Sequence, residues 1–370
     1  MTDLLKSRTM TINEKVHLLK ANGMLKKLHG LFSFSKLLIC FLTIIALVLS
    51  CKSEPKLIKN QNRGAALGTS YGITYITDGE ENFQKEIDSV FEVINISMST
   101  YIPTSDISKI NEGDSTLVVD QMFQEVFLLS KSIHSSTKGY FDPTVGVLVN
   151  AWGFGPGEQI KLDSAKVDSL LDFVGFEKVQ LQANNTIKKK LPQIRFDFNA
   201  IAKGYSIDRL AVMLDQKGVE NYLIEVGGEV VAKGYNSITD KNWVIGIDDP
   251  VGEPRNSPKQ LIHLKNRAMA SSGNYIKYRV DEETGEKYVH TINPLTGYTK
   301  NSTTLGATVF AKNCATADGY ATSFMAMDLD EVKQLLNTRE ELDAYIVYSN
   351  EMGTIQEFMT EGFKKLLIAQ

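Results

Sequence analysis

The stretch from residue 222 to residue 310 consists of short strand-like runs that no helical pattern interrupts. The runs are Tyr222–Val226, Trp243–Ile247, Leu261–Leu264, Tyr275–Val280, Tyr288–Ile292 and Thr303–Phe310. They are rich in apolar and β-branched residues, and turn residues separate them. Strands grouped in this way, with helices elsewhere in the chain, are typical of an α+β protein with mixed or antiparallel sheets.

Helical and further strand patterns flank this stretch on both sides. Helical spacing is present in Glu81–Ile94, Gln121–Thr137, a short segment from Asp163 or Ser164 to Phe173, Ala202–Gln216, the segment after Asn313, and Leu329–Asn337. Further strands are expected at Ala65–Ile76, Val179–Leu181, Arg195–Phe198 and Ala344–Tyr348. With 43% hydrophobic residues and no interior linker, residues 64–370 are predicted to form one α+β domain, with helices packed on the sheets.

The N-terminal residues carry the features of a secretion signal. Residues 1–50 hold seven Lys or Arg and two acids, and the apolar run Leu37–Leu49 leads to Ser50 and Cys51. This run is shorter than the roughly 20 residues that cross a bilayer, so a signal peptide over 1–50 is predicted. Met24 is an alternative start, and a plain membrane anchor is the alternative interpretation.

The residue after the signal, Cys51, resembles the lipidated cysteine of bacterial lipoproteins. The polar segment that follows, with Pro55, predicts a tether, so that residues 51–63 link the lipid to the fold. Of three cysteines, Cys40 lies in the signal, which leaves only Cys314 beside Cys51 and excludes a disulfide framework. The net charge is −4, and no basic patch indicates nucleic-acid binding.

The segment Asn313–Met327 is the strongest candidate for a metal site. Asp318 and Thr322 lie four residues apart, so on a helix their oxygens point the same way. The small residues around them leave these oxygens accessible, and oxygen ligands suit a hard cation such as Mg²⁺. In the alternative interpretation Thr316 caps the helix and Asp318 interacts with its dipole.

Three further segments are compatible with ligand binding, and each is also compatible with an ordinary turn. Asp197–Tyr205 leads from a strand into a helix whose first turn contains Lys203, an arrangement that favours anions. Glu225 to Gly228 ends a strand on two glycines, which allow close approach of a ligand to the backbone. The segment 271–275 contributes hydroxyl groups, a glycine and a tyrosine.

His290 is the candidate proton acceptor. Its unperturbed pKa near 6.5 allows it to take a proton at neutral pH. Beyond the signal the chain contains His134, His263 and His290, and the first two lie in an amphipathic helix and a plain strand. Only His290 is expected at the end of an element beside a turn, where sites are common. A hydrogen-bonded structural histidine is the alternative.

In their order along the chain, these motifs resemble the FAD:protein FMN transferase family (ApbE family), from about Gly64 to the C terminus. The motifs that carry the resemblance are Leu67–Tyr71, Met98–Tyr101 with Pro103 and Ser105, Phe141–Gly146, Asp197–Tyr205 with Asp208, Glu225–Gly228, Ser271–Tyr275, His290–Gly297 and Ala315–Thr322. Two positions depart from the family pattern: Leu67 stands where Met is usual, and Asn293 where Asp is common.

The resemblance implies an ApbE-like, T-fold-related architecture and a Mg²⁺-dependent reaction. The family transfers FMN from FAD, through its phosphate, to a Thr or Ser hydroxyl of an acceptor protein and releases AMP. It implies that Asp318, Thr322 and the backbone carbonyl of Ala200 hold the metal ion. It also implies that His290 takes the proton of the acceptor hydroxyl.

The resemblance further implies a set of residues that contact FAD. They are Leu67, Tyr101, Trp152, Lys203, Asp208, Glu225, Gly227, Gly228, Ser271, Ser272, Gly273 and Tyr275. Tyr101 and Trp152 are expected to flank the isoalloxazine ring. Asp208, Glu225 and the two glycines are expected at the adenosine half. Lys203 and the segment 271–275 are expected at the ribityl or phosphate groups.

The implied partners are flavin-carrying domains of membrane redox complexes. The signal and Cys51 place the expected protein outside the cytoplasm, anchored by lipid to a bacterial membrane, at the periplasmic face of the inner membrane. Two alternatives use the same sequence features. One is a Mg²⁺-dependent FAD diphosphatase that admits water in place of the acceptor hydroxyl. The other is a flavin-binding lipoprotein without activity.

Overall fold

The computed structural model describes residues 11–24, 26–27, 41, 56–251, 258–274, 278–280, 287–300 and 302–368, with only the backbone of 278–280 and 287–288. The chain separates into two compact units, Met1–Lys56 and Leu57–Gln370. In the first unit residues 12–24 form helix α1. Cys51, and all but residue 41 of the apolar run 37–49, lie outside the described residues.

Within the described residues, none of the helices combines the length and the apolar character needed to cross a membrane.

The second unit is built around one large sheet. In chain order, the described strands are β1 Leu57–Ala66, β2 Thr69–Asp78, β3 Val179–Leu181, β4 Ile187–Lys189, β5 Asn221–Val226, β6 Glu229–Lys233, β7 Trp243–Ile247, β8 Gln260–Leu264, β9 Arg267–Gly273, β10 Tyr278–Val280, β11 Lys287–Val289, β12 Thr304–Ala311, β13 Asp343–Ser349 and β14 Ile355–Met359. Eight of them form a sheet in the order β1-β2-β5-β6-β9-β12-β13-β14, and β3-β4, β7-β8 and β10-β11 form separate pairs. The strand pairs are antiparallel.

Helices connect and cover these strands. In chain order after α1, the described helices are α2 Gln84–Met98, α3 Asp106–Asn111, α4 Gln121–Ser136, α5 Gly146–Ala151, α6 Ser164–Leu171, α7 Ala202–Gln216, α8 Cys314–Ala326, α9 Leu329–Leu336 and α10 Glu361–Lys364. Antiparallel sheets with packed helices confirm the predicted α+β class.

The two faces of the large sheet are buried against different layers. On one face Ala270, Val309 and Ile346 pack with the apolar residues of α4 and α8. Their strand neighbours point the other way, and Met269 and Phe310 pack with β7, β8 and α10. This alternation follows from the two-residue period of a strand. It assigns each side chain of β9 either to the α8 face or to the opposite face.

The first hairpin shows that the prediction of a tether over residues 51–63 was wrong for its second half. Residues 57–63 belong to β1, which pairs with β2 in continuous register from Leu57 to Ala66, so they are strand and not tether. The sequence looks polar here because the inward side chains are asparagines. Asn60 and Asn62 are buried, and the Tyr75 hydroxyl donates to Asn62 Oδ1 at 2.9 Å. Polar residues that are bonded internally do not have the periodicity of an apolar strand.

A second difference concerns Arg195–Phe198, predicted as a strand. The segment is extended but has only an isolated bridge, between Arg195 and Val145. The side chain of Asn111 takes the place of a strand partner. Its Oδ1 accepts from the backbone N–H of Phe196 at 2.6 Å, and its Nδ2 donates to the carbonyl of Phe196 at 2.9 Å. This bonding fixes the backbone just before the segment 197–201 and α7.

Candidate active site at the crossing of two helices

The buried carboxylate of Asp318 lies where α7 and α8 meet. Asp318 is 3% exposed, and its Oδ2 accepts from the backbone N–H of Gly204 at 3.0 Å. A Cβ atom on Gly204 would lie 2.5 Å from the carbonyl oxygen of Cys314. Only a glycine therefore lets the first turn of α7 approach α8 closely enough for this bond.

The same hydrogen bond affects the carbonyl of Ala200, the third predicted metal ligand. In a continuing helix the N–H of Gly204 would donate to the carbonyl four residues earlier, which is that of Ala200. Here this N–H donates to Asp318, and α7 begins only at Ala202. The segment that contains Ala200 thus turns into α7 directly beside Asp318.

The N terminus of α8 is capped by other residues than expected. Asn313 is the N-cap and its Oδ1 accepts from the N–H of Thr316. Asp208 of α7 accepts from the N–H groups of Cys314 and Ala315 at 2.7 and 2.8 Å. The alternative, in which Thr316 caps the helix and Asp318 interacts with its dipole, is therefore wrong. Asn313 is the cap, and Asp208 is the carboxylate that bonds the N–H groups of the first turn. The expected contact of Asp208 with adenosine stays a prediction.

Three charged side chains form a cluster beside this crossing. Lys203, in the first turn of α7, donates from Nζ to Glu229 Oε1 at 2.5 Å, and Glu229 at the start of β6 is 2% exposed. Burial, and then the charge of Glu229, raise the pKa of Asp318 to about 7, against the opposing effect of Lys203. The charge of one lysine thus acts on two buried acids, and its ion pair is with Glu229.

Thr322, one turn beyond Asp318, faces β9. Its Oγ1 lies 3.4 Å from Oγ of Ser272, and Ser272 is paired with Ala307 on the α8 face of the sheet. The next residue back, Ser271, points to the opposite face, where its Oγ lies 2.9 Å from Thr308 Oγ1. The structure therefore brings Ser272 to the site and does not bring Ser271 there. Tyr275 lies outside the described residues.

Two glycine-containing turns meet at one end of the sheet. Gly227 and Gly228 have φ angles of 62° and 103°, which suits a two-residue hairpin turn. Glu225 Oε1 accepts from the N–H of Gly228 at 2.7 Å. The N–H of Gly227 donates to the carbonyl of Ser70, next to the turn formed by Leu67. Residues far apart in sequence and predicted to contact FAD thus come together here.

The position of His290 is set by its neighbours. It follows the end of β11 and is partly exposed. The next residue, Thr291, donates from Oγ1 to Asn274 Oδ1 at 2.8 Å. Asn274 is two residues beyond Ser272, which contacts Thr322. A continuous chain of contacts therefore leads from the metal candidates to the residue beside His290.

One of the two aromatic candidates, Trp152, contacts the same turn. The indole N–H of Trp152 donates to the carbonyl of Gly297 at 2.9 Å, in the turn that follows His290, and its ring centroid lies 6.3 Å from that of Tyr298. Tyr101 is 59% exposed. Partial burial, and then the charge of Asp197, raise the pKa of Tyr101. The charge that acts on Tyr101 is thus that of Asp197, in the segment that contains Ala200.

The donor set fits a hard divalent cation that shares its ligands with a phosphate. In the part of the chain that the structure describes, no group of three or more His, Cys, Asp or Glu side chains could hold a metal ion. One carboxylate, one hydroxyl and one backbone carbonyl give fewer protein ligands than a dedicated cage, as is usual for Mg²⁺. When Asp318 and Glu229 are both ionised, Lys203 compensates only one of their two negative charges, and a cation would neutralise the other.

Sequence reasoning missed Glu229, although the alternation of β6 contained a signal. Glu229 is paired with the buried Val226 across the two-glycine turn, so it had to face the same side of the sheet. An acid at a buried strand position is unusual unless a partner or a metal compensates it. The partner, Lys203, lies in a different element and could not be inferred from strand periodicity.

Comparison with known proteins gives a consistent result. A family model described as the ApbE family matches residues 67–346. The FAD:protein FMN transferase of Haemophilus influenzae is 33% identical over 347 residues, which cover 90% of this chain and 98% of that protein. That of Vibrio cholerae is 33% identical, over 82% of this chain and 91% of that protein.

Solved structures agree with the sequence relatives. The flavin transferase ApbE from Vibrio cholerae superimposes with a TM-score of 0.75 at 31% identity, over 84% of this chain and 100% of that chain. The apo form of the flavinyl transferase ApbE from Pseudomonas stutzeri gives 0.73 at 25% identity, over 85% of this chain and 98% of that chain. The predicted ApbE-like architecture is confirmed.

Proposed function

This chain belongs to the ApbE family, and we propose that it is a transferase that moves FMN from FAD to a hydroxyl group of an acceptor protein and releases AMP. The observation that carries this proposal is the convergence at one point of the buried Asp318, Thr322, the cationic Lys203 and the start of α7. Oxygen ligands for a cation and a positive side chain beside them are together the chemistry that binds a diphosphate.

The same geometry supports a proposal for the metal site. We propose that Asp318, Thr322 and the carbonyl of Ala200 hold Mg²⁺. When bound, the ion supplies positive charge that neutralises the diphosphate and favours departure of AMP. The protein itself contributes the fixed carboxylate of Asp318, held by Gly204, and the ammonium of Lys203, held by Glu229. Both are in place before the substrate binds, which limits the cost of reorganisation.

The transfer step requires an oriented nucleophile. The oxygen of the acceptor hydroxyl forms a bond to the phosphorus of the FMN half, and the bond from that phosphorus to the oxygen of AMP breaks. His290 takes the proton of the hydroxyl. The bond from Thr291 to Asn274 supports this role, because it fixes the backbone beside His290 relative to β9.

We propose that the remaining residues contact three different parts of FAD. Trp152 and Tyr101 are proposed to flank the isoalloxazine ring. The turn of Glu225, Gly227 and Gly228 is proposed for the adenosine half, together with Leu67. Ser272 and Gly273 are proposed to contact the ribityl and phosphate groups.

The proposed location rests on the sequence before the fold. We propose lipidation at Cys51, an extracytoplasmic position at the periplasmic face of a bacterial inner membrane, and acceptor domains of membrane redox complexes as partners. Because β1 begins at Leu57, only residues 52–56 remain as a tether. A flexible tether of that length spans about 12 Å on average, so acceptor hydroxyls close to the membrane are favoured.

The decisive experiment incubates the full chain in detergent with FAD, Mg²⁺ and a candidate acceptor domain. We expect a covalent FMN adduct on a Ser or Thr of the acceptor, seen by mass spectrometry, together with equimolar AMP. Asp318→Asn should abolish both, whereas Asp330→Asn, at an acid that is 88% exposed, should change neither. Free FMN that never appears on the acceptor would indicate the diphosphatase, and absence of AMP would indicate a binding protein.

A further inference from the structure

Glu229 is a buried acid with half of its hydrogen-bonding capacity unused. Its Oε1 accepts from Lys203 Nζ at 2.5 Å. Its Oε2 is fully buried and has no hydrogen-bond partner among the described residues. An incompletely bonded buried carboxylate reduces stability. Packing alone therefore does not account for Glu229.

Lys203 interacts electrostatically with two buried acids, Glu229 and Asp318. It directly precedes Gly204, whose N–H bonds Asp318. Burial alone would lower the pKa of Lys203, but the charges of Glu229 and, less strongly, Asp318 raise it. The ammonium is thus attracted to both carboxylates, and in the structure its short ion pair is with Glu229.

A lysine paired with Asp318 would compete with a metal ion for the same carboxylate. Both are cations, and each needs the lone pairs of the carboxylate at short distance. If Glu229 were neutral, Asp318 would be the remaining acid of this cluster within the field of Lys203. The ammonium would then turn towards the position that the cation needs.

We propose that Glu229 is a positioning residue that retains the ammonium of Lys203, so that Asp318 stays available to a divalent cation. This inference rests on the proposed function for the identity of the cation, but it concerns binding only. It assigns Glu229 and Lys203 a joint effect on metal affinity that depends on charge and not on packing.

The test is a double-mutant cycle with Mn²⁺ as the probe, on the full chain in detergent, without FAD or acceptor. Binding is followed by the loss of the electron paramagnetic resonance signal of free Mn²⁺. Glu229→Gln should weaken binding on the order of tenfold or more, the size of effect that one neighbouring charge has on a carboxylate. Lys203→Met should bind at least as tightly as the wild type. The double variant, which has no ammonium to misplace, should regain the affinity that Glu229→Gln loses.

Recovery of Mn²⁺ affinity in the double variant distinguishes a positioning role of Glu229 from a purely structural one. If Glu229 matters only for packing, adding Lys203→Met would not restore Mn²⁺ binding, and the proposal is overturned. It is also overturned if Glu229→Gln binds as tightly as the wild type, or if the wild type binds no Mn²⁺. Thermal unfolding reports whether each variant folds. Should Glu229→Gln not fold, a loss of binding in Lys203→Met still contradicts the proposal, and retained binding supports it.

These outcomes are distinguishable from failure of the proposed function. Mn²⁺ affinity is measured without substrate, so the cycle can succeed in a protein that releases no AMP. Conversely, a protein that forms the FMN adduct but shows no rescue retains its function and loses only the role assigned to Glu229.

Discussion

The backbone N–H of Gly204 donates to Oδ2 of Asp318 across 3.0 Å, which joins the first turn of α7 to α8 at a buried carboxylate. The two residues are 114 positions apart. One bond therefore sets both the orientation of the proposed metal ligand and the start of the helix that carries Lys203.

Gly204→Ala should disrupt this crossing. The new methyl group would lie 2.5 Å from the carbonyl oxygen of Cys314 and 2.8 Å from the N–H nitrogen of Ala315, which are backbone atoms that cannot rotate away. We expect a loss of about 1–3 kcal/mol in the free energy of unfolding, measured in urea, and strongly reduced AMP release. Gly72→Ala is the control, since its nearest neighbour is Glu225 Oε2 at 3.8 Å. Equal losses in both variants would contradict the role of this contact.

Stability and metal binding should depend on pH through Asp318. Its pKa is raised from 3.8 to about 7 in the folded protein, so the folded state holds a proton that the unfolded state has released. The metal-free protein should therefore lose stability as the pH rises from about 4 to about 7 and change little above that, as far as this group is concerned.

Mg²⁺ requires the deprotonated carboxylate, so its affinity should rise over the same interval and then level off. Thermal unfolding at pH 5.5 and pH 8, with and without Mg²⁺, checks both statements. Asp318→Asn should remove this pH-dependent component and the stabilisation by Mg²⁺. A variant that keeps the Mg²⁺ effect would show that another group holds the ion.

Trp152→Phe should impair the reaction without unfolding the protein. It retains an aromatic ring but removes the N–H that donates to the carbonyl of Gly297, in the turn that follows His290. We expect a lower kcat, and circular dichroism should show an unchanged fold. Trp243→Phe is a matched control, because that indole donates to the carbonyl of Lys233 at 3.0 Å in the β7 region. If Trp152→Phe and Trp243→Phe lowered kcat equally, the loss of activity would reflect reduced stability and not the bond to Gly297.

Asn111→Ala should destabilise the segment before α7. Asn111 bonds both the N–H and the carbonyl of Phe196, and its loss leaves these two buried groups unpaired. The cost is about 2–6 kcal/mol, at 1–3 kcal/mol for each group, measured by urea unfolding. Asn236→Ala removes an amide that bonds an exposed turn and should cost far less. Similar losses of unfolding free energy in the two variants would mean that water bonds the N–H and carbonyl groups of Phe196 when Asn111 is absent.

His290→Ala should slow FMN transfer about 10²- to 10⁴-fold, the usual contribution of a general base, while FAD still binds. His263→Ala, at an exposed strand position, is the control. The two measurements are single-turnover adduct formation and equilibrium FAD binding. A His290→Ala variant with normal adduct formation would exclude the proposed proton transfer.

Local patterns in the sequence were sufficient where the relevant geometry lies within one element. The α+β class followed from the grouped strands, and the spacing of Asp318 and Thr322 placed both on α8. His290 was correctly expected at a strand end beside a turn. The order of the motifs also predicted the family, because it depends on short segments and not on how they pack.

The tertiary structure decided which groups these elements bring together. It made residues 57–63 a strand because Asn60 and Asn62 find partners on β2 and beyond, and it turned Ser271 away from the site through the register of β9. It also paired Glu229 with Lys203 and Asp318 with Gly204. Sequence periodicity reports the face on which a side chain lies, but its partner is set by long-range packing, which no local pattern encodes.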